Sequence, residues 1–129
     1  MKRFLFLLLV PLQFAFAQSK PKQVFTYVER MPELPGGGGN AAIVNAIMKR
    51  LQVTKAALEA SEGRPLIYFE VAPTGQVQHV RLAASSYSAG LDSALLVATR
   101  NLPKFKPGYR QGRPVMVSFT VPISCIKPQ

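Results

Sequence analysis

The sequence predicts an α+β fold, a small antiparallel sheet of about three strands with two helices packed on one face. Residues 66–71, 76–84 and 115–123 alternate apolar and polar side chains with the period of a strand. Residues 43–51 and 91–102 repeat apolar side chains with the period of a helix. The order helix, strand, strand, helix, strand lets both helices cover one face of the sheet.

At the N-terminus, Lys2 and Arg3 precede an apolar run from Phe4 to Leu12, and Ala15-Phe16-Ala17 stand before Gln18. A basic start, a short apolar core and an A-x-A site read as a secretory signal peptide, residues 1–17. A membrane anchor needs ~20 apolar residues, whereas the run here is shorter and broken by Pro11 and Gln13. Cleavage after Ala17 and a periplasmic location are therefore expected. No cysteine near the site supplies a lipoprotein anchor. Residues 18–129 suffice for one hydrophobic core and are too few for two. All but two of the 16 Lys and Arg lie there, against all six acids, a balance that favours acidic or polyanionic partners without bearing on fold. Cys125 is the only cysteine, so no internal disulfide can form, and it reads as a small hydrophobe.

Residues 18–40 are expected to be a flexible linker. Pro21, Pro32, Pro35 and the run Gly36 to Gly39 are too dense for a regular helix or a central strand, although Val24, Phe25, Tyr27 and Val28 are apolar. A domain spanning 41–129 follows. Asn40 is placed to cap a helix carrying Ile43, Ile47 and Leu51, flanked by Val44 and Met48. A short helical stretch over residues 55–60 ends at Glu62-Gly63. Ile67, Phe69 and Val71 then share one strand face, Pro73-Thr74-Gly75 turns the chain, and Val80, Leu82 and Ala84 return it as a hairpin. Leu91, Ala94, Leu95, Ala98 and Leu102 form a helix stripe that Pro103 stops. A basic loop leads to the clearest strand, in which Val115, Val117, Phe119, Val121 and Ile123 alternate with Met116, Ser118, Thr120 and Ser124.

The search for chemistry excludes more than it finds. His79 is the single histidine and sits in a strand pattern as a surface residue. Asp92 stands at a helix start, where a carboxylate satisfies backbone N–H groups and complements the dipole. No metal-ligand spacing and no nucleophile–base constellation is present, so no catalytic residue, metal or cofactor is assigned and no enzyme is expected. Gly36 to Gly39 lack the Lys-Ser/Thr of a phosphate loop. Lys104, Lys106, Arg110 and Arg113, with Phe105 and Tyr109 between them, form a candidate polyanion contact. Export makes nucleic acid an unsuitable partner, and a solvated basic loop is the simpler reading.

Three segments, "GRPLIYFEVAPTGQVQHVRLAAS", "LDSALLVATRNLPKFKPG" and "GRPVMVSFTVPI", together resemble the C-terminal domain of the TonB family in order and spacing. The upstream "VFTYVERMPELPGG" is similar to the linker of the family's Bacteroidetes branch, and the resemblance covers about residues 24–123. Val53-Thr54 stands where the family usually has Tyr-Pro, and neither the inner-membrane anchor nor the long Pro/Lys-rich spacer of a transducer is found. The resemblance implies a stand-alone, secreted, peptide-binding module acting in transport and energy transduction. In the family the last strand pairs with a short segment of an outer-membrane receptor. The matching positions are Val115, Met116, Val117, Ser118, Phe119, Thr120 and Val121, with backbone pairing supplying affinity and Met116, Ser118 and Thr120 tuning specificity. An edge strand of that kind also suits a homodimer. The alternatives are a transducer that keeps its leader in the membrane and an envelope protein that binds polyanions through its charge.

Overall fold

A computed structural model of the protein describes residues 23–124. The signal-peptide reading of residues 1–17 and Cys125 lie outside them. The chain runs β1 (Val24–Phe25), α1 (Gly39–Arg50), α2 (Lys55–Glu59), β2 (Leu66–Val71), β3 (Val77–Ala84), α3 (Ala89–Arg100), β4 (Gly108–Arg110) and β5 (Arg113–Pro122). The α+β class stands, with five strands and three helices in place of about three and two. The added strands, β1 and β4, are too brief to show a period in the sequence, and the third helix, α2, is the short helical stretch expected over residues 55–60.

The sheet order is β1-β5-β2-β3, with β4 hairpinned onto β5. β2 and β5 pair antiparallel over six consecutive positions, from Leu66↔Pro122 to Val71↔Val117. β4 and β5 are joined by the two-residue turn Gln111-Gly112, both at positive φ, the hairpin turn whose twist suits the flanking strands. Helices α1 and α3 contribute Ile43, Ile47, Leu91, Leu95 and Ala98 to one core with Ile67, Phe69, Val71, Val117, Phe119 and Val121. At its centre Phe69 stacks on Phe119 with ring centroids 5.2 Å apart, and Phe105 lies tilted against both. Phe105, expected as an aromatic interleaved among the basic residues, is thus a core residue.

Two glycines position this core. Gly38 takes the helix-capping position of α1 at φ 98°, where a Cβ would come within 2.8 Å of the Ala42 Cβ. Asn40, expected as the cap, is instead inside the first turn, because the left-handed glycine run starts the helix two residues earlier. Gly75 turns the β2–β3 hairpin at φ +90°, and a Cβ there would fall 2.0 Å from the Phe105 carbonyl oxygen. That contact is fixed by the Phe105 N–H donating to the Gly75 carbonyl at 2.8 Å.

The stretch expected as a linker is, from residue 23 on, packed against the domain. Val28 and Leu34 are buried in the core, and Arg30 and Glu33 exchange backbone hydrogen bonds with Tyr109 and Lys106. The prolines and glycines forbid a long helix or strand, but they do not prevent isolated apolar residues from docking.

Candidate peptide-binding edge

A sheet offers a partner strand its unpaired edges, and here the two outer strands are β3 and β1. β3 is a poor template. Its register against β2 shifts twice, between Leu66 and Ile67 and between Tyr68 and Glu70, and the second shift places His79 at φ 52°. Bulges and exposed charges such as Arg81 blunt an edge against pairing. His79 is therefore not an ordinary alternating strand residue. Its Nδ1 lies 3.0 Å from the carboxylate of the buried Glu70, a cross-strand pair that holds the bulge.

The other edge differs. β1 covers β5 at only two register positions, in parallel, Val24↔Met116 and Phe25↔Val117. The direction of the β5 backbone follows from its last bond, in which the Ile123 N–H donates to the Pro65 carbonyl at 3.0 Å. Backbone groups alternate along an antiparallel pair, so Val121, Phe119 and Val117 also direct theirs to β2. Met116, Ser118, Thr120 and Pro122 direct theirs to the opposite edge. The sequence agrees, since Pro122, which has no N–H to give, sits at an outward position where the β2 ladder needs none. Beyond Val117, no strand among the described residues pairs with β5 on that side.

Side chains on this segment divide unequally. Val117, Phe119 and Val121 are in the core and Val115 is half-buried. Met116 and Ser118, expected outside, are buried on the face away from the helices, Met116 beneath the Gln78 amide, which donates to its sulfur at 3.4 Å. Ser118 lies in register with Glu70. Thr120 alone is exposed. The alternating pattern reads correctly which side chains face the helices but does not reveal that long residues of β3 cover the other face.

The four cations Lys104, Lys106, Arg110 and Arg113 are exposed and do not form one cluster. Lys104 borders a hollow with Gln76 and Arg100, and Lys106 borders another with Arg30, Glu33 and Tyr109. Arg110 and Arg113 face each other across the β4–β5 turn. Arg110 also places its guanidinium 4.8 Å from the centre of the Phe25 ring on β1. A separate groove of about 620 Å³ runs between α1 and α3 past Lys49, Arg50 and Val97.

Asp92, expected to satisfy N–H groups at the helix start, instead ties the preceding loop to α3. Ser88 caps α3 by accepting from the Leu91 N–H, while the Asp92 carboxylate accepts from the Ser85 and Ser86 hydroxyls and the Ser86 N–H. Partial burial works to raise its pKa, but the hydrogen bonds from Ser85 and Ser86 outweigh it and leave the carboxyl below its ordinary value. Among the described residues no group of three or more His, Cys, Asp or Glu side chains is arranged for a metal, and no helix is long and apolar enough to cross a membrane.

Residues 54–124, more than half the chain, match the family model described as the Gram-negative bacterial TonB protein C-terminal. No curated protein and no solved structure matches the chain.

Proposed function

The chain belongs to the family of Gram-negative bacterial TonB protein C-terminal domains, and from that premise we propose that it is a periplasmic module pairing a receptor peptide with the outer edge of β5. The family is one of envelope-associated, non-enzymatic domains that interact with outer-membrane receptors in energised transport. The observation carrying the reading is the outward backbone of Thr120 and Pro122, beyond the end of β1. Those groups provide a ladder for an added strand, while bulges at β3 disfavour pairing at the other edge. Exposed Thr120 is the side chain best placed to contact such a strand.

Titration of the secreted chain with synthetic peptides from the periplasm-facing N-terminal segments of outer-membrane receptors tests the proposal. Binding accompanied by new backbone protection at Thr120 in hydrogen exchange supports it. Binding that leaves Thr120 unprotected, or no binding by any such peptide, overturns it. Self-association through the same edge would appear in sedimentation as a dimer that the peptide dissociates. The exposure of Arg110 and Arg113 favours a second reading, polyanion contact at the β4–β5 turn. It is checked by salt-dependent retention on heparin that Arg110→Ala with Arg113→Ala removes.

A further inference from the structure

The edge that would receive a partner is partly occupied by the chain itself. β1 lies in parallel against Met116 and Val117, at the start of the segment where the backbone faces outward. It is a small contact. Val24 is 37% exposed, Phe25 is half-buried, and the chain bends away at Thr26 to a Tyr27 that is 82% exposed. The next residues are tied down independently of β1, through buried Val28 and the backbone bonds of Arg30 to Tyr109 and Glu33 to Lys106. The strand can therefore leave the edge by rotation about Thr26 and Tyr27, giving up the packing of Phe25 against the rim of the core while Val28 and Leu34 stay buried. Arg110, from the β4–β5 hairpin, holds it down by stacking on Phe25.

We infer that β1 is a built-in competitor, an internal strand that holds the β5 edge at Met116 and Val117 until a partner strand displaces it. The inference rests on the peptide-pairing reading above and adds that binding is self-limited by residues 24 and 25. The displacing strand is an extended peptide with apolar residues like Val24 and Phe25. A full-length partner strand gains the whole edge from Met116 to Pro122, whereas β1 contacts only its beginning. The apparent Kd of an edge peptide is raised by the fraction of time that β1 is seated. Two backbone pairings and one cation–π contact support a seated state favoured by roughly tenfold.

The test uses two peptides, the chain's own residues 23–28 and the tightest receptor peptide found, against four proteins. These are the mature chain, a chain beginning at Thr26, and a Val24→Cys/Met116→Cys variant in a Cys125→Ser background, oxidised and reduced. Neighbouring strands lie ~4.8 Å apart, within the reach of a disulfide, so oxidation locks β1 in place. Removing β1 should tighten both peptides roughly tenfold. The locked form should lose binding, and reduction of that same protein should restore it, which controls for the loss of Met116. Equal affinity of the locked and reduced forms for a peptide that binds would overturn the inference. If peptide 23–28 follows this pattern while no receptor peptide binds even the chain beginning at Thr26, the competitor stands and the receptor reading fails.

Discussion

The outward direction of the β5 backbone is decided by a pair of proline substitutions. At Thr120 the N–H points away from β2, the side chain is exposed, and the register of β1 has already ended at Val117. Thr120→Pro therefore breaks no ladder bond and empties no core site, and its cost should stay within the ~1 kcal/mol span of strand propensities. At Phe119 the N–H faces β2 and the ring stacks on Phe69. Phe119→Ala alone should cost ~3–5 kcal/mol, and Phe119→Pro removes a buried ladder bond as well, worth a further ~1–3 kcal/mol when its acceptor is left unpaired. Set against a total stability of ~5–15 kcal/mol, the second proline should leave the chain largely unfolded. Urea denaturation followed by circular dichroism measures both variants, and peptide titration follows for the folded one. A partner strand deprived of one main-chain bond and obstructed by the ring should lose about tenfold or more in affinity, ~1.4 kcal/mol. Ser118→Ala should bind nearly as the parent does. Unfolding of Thr120→Pro would show that the backbone direction is reversed. A folded Thr120→Pro that binds as tightly as the parent would remove β5 as the pairing strand.

Gly75→Ala forces a Cβ to 2.0 Å from the Phe105 carbonyl oxygen. It should cost ~2–4 kcal/mol through left-handed strain and displacement of Phe105; a urea midpoint unchanged from the parent would refute that packing. Asp92→Ala strips three acceptor contacts from Ser85 and buried Ser86 and should cost ~1–3 kcal/mol, read as a lowered thermal midpoint. Because the folded pKa of Asp92 is depressed, its contribution is present above the unfolded value, near 4, and is lost as pH falls through the folded one. The parent should thus approach the stability of Asp92→Asn below pH 4, and an equal gap at pH 7 and pH 3 would refute the linkage.

How much of this was legible in the sequence depended on element length. Strand and helix periods identify β2, β5, α1 and α3, because each carries enough turns or alternations for an apolar face to show. Leu95 and Phe119, at the centres of their stripes, are indeed buried. β1 was hidden because two residues have no period, and a segment rich in proline and glycine reads as a linker even where Val28 and Leu34 dock. The available signal was the apolar spacing of Val24, Phe25 and Val28. Burial of Met116 and Ser118 was also hidden, because it depends on Gln78 and Glu70, which only the registers of β2 against β3 and β5 bring alongside. The direction of the β5 backbone, which the strand period alone leaves open, has its signal in Pro122, a residue with no N–H to give to the β2 ladder.

The limits of the family match bear on the edge itself. The matched segment begins at Thr54, whose hydroxyl accepts from the Ala57 N–H at the start of α2, and ends just past β5. It contains β2, β3, β4 and β5, and so the whole pairing surface. β1, the strand seated on the outer side of β5, lies upstream of it. A β5 edge built from the matched residues alone would be open from Met116 to Pro122. What covers its beginning is a short apolar strand hinged at Thr26 and anchored by Val28. Separating the surface from its cover in this way allows affinity to be tuned without touching the pairing strand, since changes at Val24, Phe25 or Arg110 alter the seated fraction and leave the β2–β5 ladder intact. Phe25→Ala is the simplest instance. It removes the ring beneath the Arg110 guanidinium and its packing at the rim of the core, should lower the unfolding free energy read from urea denaturation by only ~1 kcal/mol because the side chain is half-exposed, and should tighten an edge peptide severalfold. Weaker peptide binding by Phe25→Ala would mean that β1 assists the partner strand and does not compete with it.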